Sequence, residues 1–94
     1  MDTIDFFRIE DGLVFMYSGA VKYLVDIPLA RLEERLNPDN FFRVYRNAIV
    51  NLDKIERILP WGRGKYVIQF SSGEKIRLSR EKVQEFKILM GLKL

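Results

Sequence analysis

The chain contains no cysteine and no histidine. Without thiols or imidazoles it cannot form disulfides, Cys or His zinc sites, or the Cys-His and Ser-His pairs that activate nucleophiles. No run of the sequence approaches the roughly 20 consecutive apolar residues that cross a bilayer, and the N-terminus lacks the basic start and apolar block of a secretory signal. We therefore expect a cytoplasmic protein that uses no cofactor or metal and does not enter a membrane.

What is present is sufficient for a small folded domain. Of the 94 residues 48% are hydrophobic, and they include seven Phe, four Tyr and one Trp, which is enough to bury a core. The sequence shows no repeats, no low-complexity segment and no internal linker. We therefore expect residues 1–94 to form a single domain.

The net charge of +3 is unevenly distributed along the chain. Residues 1–36 include four basic and seven acidic residues, a net charge of −3, whereas residues 37–94 include twelve basic and six acidic ones, a net charge of +6. Such an excess occurs on ordinary solvated surfaces and also on surfaces that bind nucleic acid. The second part of the chain is therefore the candidate anion-binding part.

Hydrophobic patterns predict a mainly β fold with short helices, of the α+β class. Strands are expected at residues 4–9, 13–17, 21–27, 42–45, 55–61, 65–70 and 75–78. Phe42 and Val44 alternate with Arg43 and Tyr45, which predicts that the fourth of these strands is half-buried. The apolar run that follows, at residues 48–52, does not indicate whether it forms a strand or a helix.

Two helices are predicted around these strands. Pro28 is tolerated in a first helical turn, and Leu29 opens a short segment whose leucines recur at helical spacing. Ser79 is the expected N-cap of a second helix over residues 81–90, which Gly91 ends.

The segment most indicative of function is FFRVYRNAIVNL, residues 41–52, together with the Ser79-Arg80 pair after the last strand. The segment places Arg43, Tyr45, Arg46 and Asn47 among apolar residues, so that guanidinium, phenol and amide groups can project from a rigid support. These are groups that bind phosphate and read bases.

FFRVYRNAIVNLDKI, an ensuing hairpin and IRLSREKVQEF resemble the LytTR DNA-binding domain family. Its motif runs roughly Phe-x-Arg-x-His-Arg-Ser-x-Ile-Val-Asn-Leu-x-x-Ile and ends in Ser-Arg before a helix. Upstream, IDFFRIE and KYLVDIPLARLEERL fit the order of elements in the family, so nearly the whole chain is covered. The resemblance implies a multi-stranded β fold with a short helix after the third strand and a C-terminal helix. It also implies a bacterial transcription regulator, often a response regulator, that inserts loops rather than a recognition helix into successive major grooves.

The resemblance also implies which residues contact DNA. Arg46 and Arg80 match DNA-contacting positions of the family motif and are the leading candidates. Arginine suits this role because its planar fork can bond the O6 and N7 atoms of guanine together, or clamp a phosphate, while staying charged. The further candidates for DNA binding are Asn47, Arg43, Tyr45, Ser79 and Lys82. Candidate phosphate neighbours outside this set are Lys54, Arg63 and Lys65.

The sequence departs from the family pattern in three places. Tyr45 and Asn47 stand where the motif usually has His and Ser, which changes the reach and direction of these groups. Only Asp11-Gly12 separates Glu10 from Leu13, where family members commonly carry a longer loop with another DNA-contacting side chain. We therefore expect that contact to be absent, so that either affinity is lower or another part of the chain supplies it.

Structural roles compete with DNA contact at several candidates. Arg43 could pair with Glu10 or Asp53 on the surface, Tyr45 could cover the edge of the core, and Asn47 could satisfy backbone in a turn.

Three further polar or aromatic residues are assigned to structure. Asn51 closes an apolar run, and an Asn in that position more often bonds neighbouring main chain. Trp61 and Tyr66 occupy strand positions, where aromatic residues of a small domain usually pack in the core or at its edge.

The leading functional hypothesis is sequence-specific binding of double-stranded DNA, which the family implies can involve a homodimer on paired half-sites. The alternative is a protein-interaction module that keeps the fold but has lost DNA readout, which the short Asp11-Gly12 loop and the acidic first third favour. Binding of single-stranded RNA through exposed aromatic residues on a basic sheet is a third hypothesis. An enzyme is the weakest, because no motif pairs carboxylates as acid and base. Regulation would come from a protein partner, from oligomerisation, from the expression level or from a further part of the protein.

Overall fold

The computed structural model describes residues 3–91, which form two antiparallel sheets, two α-helices and two 3₁₀ turns. In chain order the strands are β1 (Phe6–Glu10), β2 (Leu13–Ser18), β3 (Val21–Val25), β4 (Phe41–Tyr45), β5 (Ala48–Asn51), β6 (Ile55–Pro60), β7 (Tyr66–Phe70) and β8 (Lys75–Leu78). The helices are α1 (Leu29–Arg35) and α2 (Val83–Met90), and the 3₁₀ turns are Leu52–Lys54 and Arg80–Lys82. The prediction of a mainly β fold, with a short helix after the third strand and a C-terminal helix, is confirmed.

The larger sheet has five strands in the order β3-β2-β1-β5-β4, and the smaller sheet has three in the order β6-β7-β8. The apolar run of uncertain type is strand β5, Ala48–Asn51, and all four of its residues are buried. A strand that is covered on both faces loses the alternation of apolar and polar residues, which is why its pattern could not distinguish a strand from a helix.

The two faces of the large sheet bury separate apolar clusters. One face, which includes Phe6 and Val50, packs against the small sheet and α2, and Phe6 stacks on Tyr17 with ring centroids 4.4 Å apart. The other face, which includes Phe7 and Ile49, is covered by the buried leucines of α1. Because neighbouring residues of β1 and β5 point to opposite faces, one strand pair supplies side chains to both clusters.

Strand β8 runs across the strands of the large sheet. Just before β8, Glu74 accepts a hydrogen bond from Arg8 of β1 at 3.2 Å. Just after β8, the backbone N–H of Ser79 donates to the carbonyl oxygen of Val44 in β4 at 2.8 Å. Since β5 lies between β1 and β4, these two contacts set β8 across the sheet and bring Ser79-Arg80 to the edge of β4.

The second helix begins later than the sequence predicts. Ser79 is extended, with φ −63° and ψ 138°, and its side chain makes no capping hydrogen bond. The backbone N–H of Ser79 instead bonds the carbonyl oxygen of Val44, which keeps Ser79 extended. The next residues, Arg80–Lys82, form a 3₁₀ turn, and α2 starts only at Val83. The predicted end is confirmed, since Gly91 adopts the left-handed conformation with φ 65°.

A cluster of charged side chains sits where β1, β2 and β3 meet. The Glu10 carboxylate accepts hydrogen bonds from Arg8 at 2.9 Å, from Lys22 at 2.6 Å and from the hydroxyl of Tyr17. Partial burial acts to raise the pKa of Glu10, but hydrogen bonds from Lys22, Tyr17 and Arg8 outweigh it and lower that pKa from 4.5 to about 2. Since Arg8 also bonds Glu74 of the small sheet, the cluster connects the two sheets.

Replacement of Glu10 by Gln should remove an acid-sensitive part of the stability. Folding lowers the pKa of Glu10 from 4.5 to about 2, so its contribution is complete above pH 4.5 and is lost as the pH falls towards 2. Near neutral pH the free energy of unfolding of Glu10→Gln should be lower than that of the wild type by about 1–3 kcal/mol. Urea unfolding at a series of pH values checks this, and two stability curves that stay parallel below pH 4.5 would contradict it.

Candidate nucleic-acid interface

An open groove of about 580 Å³ lies where the end of β4 meets the segment after β8. The residues that line it are Glu33, Arg43, Tyr45, Arg46, Ser79, Glu81 and Lys82, and we refer to it as the Arg46 groove. Five of the seven predicted DNA-binding residues are therefore brought together here. Arg80 adjoins them as an exposed residue that follows Ser79 directly, whereas Asn47 does not line this groove.

A β-bulge sets the direction of the side chains at the end of β4. Arg43 pairs with Ile49 of β5, but Tyr45 pairs with Ala48, so that Val44 is the extra residue of the bulge. The predicted half-buried strand is confirmed, since Phe42 and Val44 are buried while Arg43 and Tyr45 are half-buried. The bulge sets Tyr45 opposite Ala48, against the edge of the core. Tyr45 packs against the edge of the core and lines the groove as well, so both of its predicted roles are compatible with its position.

The guanidinium of Arg43 is engaged in internal hydrogen bonds that hold the groove together, so it is less available to a ligand than the other cations. Its Nη1 donates to Glu33 of α1 at 3.0 Å, and its Nη2 donates to the carbonyl oxygen of Arg46. The predicted partners, Glu10 and Asp53, are therefore wrong. Its Nε is buried and has no hydrogen-bond partner. The guanidinium thus connects α1 with the turn that carries Arg46, and its charge is compensated by a carboxylate.

The remaining cations at the groove are not engaged in this way. Among the ion pairs within residues 3–91, none uses Arg46, Arg80 or Lys82. Arg46 and Arg80 are exposed, and the Nζ of Lys82 lies 5.8 Å from the ring centroid of Phe42. These cations can bind phosphate, while Glu81 at the same groove would repel phosphate and could accept a hydrogen bond from the amino group of cytosine.

A second, smaller groove of about 220 Å³ adjoins the first one at Tyr45. Its lining residues are Arg8, Tyr45, Asn47, Ala48, Lys75, Ile76 and Arg77, and we refer to it as the Asn47 groove. None of these residues is acidic. The predicted residue Asn47 lies here, and its carbonyl oxygen accepts a hydrogen bond from the N–H of Ile9 at 2.9 Å.

Lys75 and Arg77 also line this groove, although the sequence did not predict them as candidates. Both point away from the core on β8, where Ile76 and Leu78 are buried, and this alternation was the available signal. The guanidinium of Arg77 lies 6.0 Å from the ring centroid of Tyr45, within the range of a cation–π contact. Arg77 therefore belongs to the same surface as the predicted residues.

The structure assigns other polar and aromatic residues to different places. Asn51 is structural as predicted, because its Nδ2 donates to the carbonyl oxygen of Ile4 at 2.8 Å. Tyr66 packs against the core edge as predicted, but the prediction for Trp61 is wrong, since 59% of its surface is exposed. The turn that holds Arg46 precedes β5, whereas Lys54 lies after the opposite end of β5. Lys54 therefore lines neither groove.

The connection between β1 and β2 is as short as the sequence indicates. Glu10 pairs directly with Leu13, and Asp11 and Gly12 form a two-residue turn with φ values of 53° and 78°. Such turns require positive φ at both positions, which Asp and Gly tolerate. This turn lies at the same end of the large sheet as Asn47, because Arg8 of β1 pairs with Ala48. The exposed side chain that it presents there is an acidic one.

Within residues 3–91 there is neither a candidate metal site nor a helix that could cross a membrane. Across residues 3–91 the acidic side chains do not form any group of three or more that could hold a metal ion. No helix among these residues combines the length and apolar character that a membrane crossing requires.

Comparison with known proteins shows what the chain is similar to. Residues 1–91 match the family described as the LytTr DNA-binding domain. The transcriptional regulatory protein YpdB of Escherichia coli O6:H1 is 30% identical over 93 residues, which are 98% of this chain and 38% of that protein. The transcriptional regulatory protein LytR of Staphylococcus aureus strain N315 is 32% identical over 83 residues, which are 88% of this chain and 34% of that protein.

A solved structure also shares the fold. A LytTr DNA-binding domain from Bacillus cereus superposes with a TM-score of 0.88 and 22% identity, over 97% of this chain and 84% of that one. The chain spans little more than a third of the length of the two regulators that it matches. Both are transcription regulators by name, and neither name favours the alternative of a protein-interaction module.

The different positions of Arg43 and Arg46 predict different effects on stability. Arg43→Ala removes the bonds to Glu33 and to the carbonyl of Arg46, so the free energy of unfolding should fall by about 1 kcal/mol. Arg46→Ala removes an exposed side chain and should change it by less than about 0.5 kcal/mol. Urea unfolding followed by circular dichroism checks both variants, and equal losses would show that Arg43 does not support the groove.

Proposed function

Because the chain belongs to the LytTr DNA-binding domain family, we propose that it binds double-stranded DNA sequence-specifically as the DNA-binding part of a bacterial transcription regulator. Residues 1–94 act as one domain in this proposal. Phosphate contacts fix the position of the domain on the duplex, and the Arg46 and Asn47 grooves carry the side chains that reach the base edges. The family is a DNA-binding one and not a class of enzymes, and we propose no catalytic role for this chain.

The observation that carries the proposal is the placement of two separate chain segments at one surface. The backbone hydrogen bond between Ser79 and Val44 attaches the end of β8 to the edge of β4. Since Arg80 follows Ser79 directly and Arg46 lies two positions after Val44, this bond brings the two arginines to one surface. Both guanidinium groups are exposed, and neither takes part in an ion pair within residues 3–91. Two arginines on rigid supports can each bond the O6 and N7 atoms of a guanine, or a phosphate, without first breaking an internal contact.

The roles within the surface follow from the freedom of each side chain. Arg46 and Arg80 are the proposed base-reading residues, and Lys82 and Ser79 are proposed to bind phosphate beside them. Tyr45 can donate its hydroxyl while its ring packs on the core edge. Asn47 can bond adenine or backbone from the adjoining groove, and Arg43 acts mainly by holding the turn.

The proposal extends to partners of the whole protein. A homodimer on paired half-sites about one helical turn apart would double the number of phosphate contacts. A regulatory protein partner, or a further part of the protein, would control this binding in the bacterial cytoplasm. Sedimentation of the domain alone and with a two-site duplex tests for the dimer, and one copy on every two-site duplex at saturation would contradict it.

Affinity for duplex DNA should fall steeply with salt, because each neutralised phosphate releases counterions. Arg46→Ala and Arg80→Ala should relax the preference for the cognate site by about 1–3 kcal/mol each, which is the discrimination of one bidentate base contact. Fluorescence anisotropy of a labelled cognate duplex and of a scrambled duplex measures both effects. Arg31→Gln is the control, since Arg31 is exposed on α1 and lines neither groove.

The cognate site for these measurements can be selected from a random pool of duplexes at moderate salt. Enrichment of one motif is the expected result. Equal affinity for all duplexes, in the wild type and in both arginine variants, would contradict base readout. No binding to any duplex at low salt would contradict the proposal as a whole.

A further inference from the structure

The outer face of the small sheet carries a third groove, which continues the surface described above. It has a volume of about 490 Å³ and is lined by Leu59, Pro60, Trp61, Val67, Lys75 and Arg77, and we refer to it as the Trp61 groove. It shares Lys75 and Arg77 with the Asn47 groove, which in turn shares Tyr45 with the Arg46 groove. One uninterrupted surface therefore leads from Arg46 to Trp61.

Strand register explains why these side chains meet. In the small sheet Leu59 pairs with Val67, and Val67 pairs with Arg77, so that the three form a row on the face away from the core. Pro60, Tyr66 and Leu78 pair in the next row, which places the β6–β7 turn at the same end of the sheet as Ser79. The aliphatic side chains of the outer row form the floor of the groove.

Arg77 occupies the centre of this surface between two aromatic rings. Its guanidinium lies 6.0 Å from the ring centroid of Tyr45 and 5.6 Å from that of Trp61. Cation–π contacts with two rings favour one position of the guanidinium while leaving its N–H donors free for an anion. Within residues 3–91 neither Arg77 nor Lys75 forms an ion pair, and no residue that lines the Trp61 groove is acidic.

The turn beside the groove adds further positive charge. Trp61 donates its backbone N–H to the carbonyl oxygen of Lys65 at 2.8 Å, which closes a loop of Gly62, Arg63 and Gly64. Arg63 adopts φ 55°, a backbone conformation that few residues other than Gly, Asn and Asp adopt, and it is exposed at the tip of the loop. Trp61, Arg63 and Lys65 thus project from one short turn that contains no acidic residue.

We propose that the Trp61 groove and the β6–β7 turn bind the sugar–phosphate backbone of the duplex beyond the bases read at the Arg46 groove. Lys75, Arg77 and Arg63 would bind phosphates, and the indole of Trp61 would pack against deoxyribose. This inference rests on the proposed function and deepens it. It also names what takes the place of the contact missing at the Asp11-Gly12 turn.

Two observations favour a duplex flank over a single strand as the occupant. The groove is continuous with the surface that carries Arg46 and Arg80, so a duplex bound there would have its backbone pass alongside. Surfaces that bind single strands stack successive bases on several aromatic side chains, whereas the face of the small sheet offers one exposed ring, that of Trp61. A duplex presents phosphate and sugar to such a groove and keeps its bases stacked.

Trp61 is the single tryptophan of the chain, so its fluorescence reports on this groove alone. The experiment titrates the full chain with the selected duplex, extended by about one helical turn on either side. It records the anisotropy of the labelled DNA and the acrylamide quenching of Trp61 in the same samples. We expect the DNA to bind and the quenching to fall, because contact with the backbone covers the indole.

The matched variants are Lys75→Gln and Arg77→Gln, with Arg31→Gln as the control that removes the same charge from α1. Each groove variant should reduce the slope of log affinity against log salt by about one, and should weaken cognate and scrambled duplexes equally. Arg31→Gln should leave the slope unchanged. Lys75 is exposed on an edge strand and makes no aromatic contact among those described, so Lys75→Gln tests the idea even if Arg77→Gln unfolds.

The outcomes separate this inference from the proposed function. DNA binding with unchanged quenching of Trp61 and unchanged salt slopes would overturn the inference and leave the proposed function intact. Protection of Trp61 by a single-stranded oligonucleotide but not by the duplex would overturn it in favour of a strand-binding site. Absence of any duplex binding would overturn the proposed function and this inference with it.

Discussion

The hydrogen bond from the Ser79 N–H to the Val44 carbonyl is the contact on which the rest of the surface depends. It joins the end of β8 to the edge of β4, and so places two segments that are distant in sequence at one groove. At the other end of β8, Glu74 bonds Arg8 of β1. With both ends attached, β8 lies across the large sheet, and its outward cations fall between the two attachment points.

Much of the fold could be predicted from the sequence, because its signals are local. Alternating apolar residues and Gly turns identified seven of the eight strands, and the leucine spacing identified α1. Strand β5 could not be identified as a strand, because burial of all four of its residues removes the alternation. The start of α2 was misplaced because the backbone of Ser79 bonds a residue 35 positions earlier in the chain, which no local pattern reveals.

The candidate site was predictable to the extent that its residues lie in motifs. Arg46 and Ser79 belong to the family motif, and both line one groove together with the predicted residue Lys82. Arg77 was not predicted, because its position beside Tyr45 and Trp61 arises from β8 crossing the sheet and not from a local motif. The packing assigned to Trp61 was wrong because β6 ends at Pro60, so that Trp61 follows the strand and lines a groove on the outer side of the small sheet instead of packing in the core.

The arginines of this surface differ in whether a carboxylate compensates their charge. Arg8 and Arg43 each bond carboxylates, and these bonds fix the sheets and the β4–β5 turn. Binding DNA through them would require breaking ion pairs, which would offset the gain. Arg77 is instead held by aromatic rings, which orient a guanidinium without neutralising it. Arginines that hold the fold have their charge compensated by carboxylates, whereas Arg77 keeps an uncompensated charge. Such a surface can bind a phosphate backbone without breaking internal ion pairs, which keeps the cost of binding low.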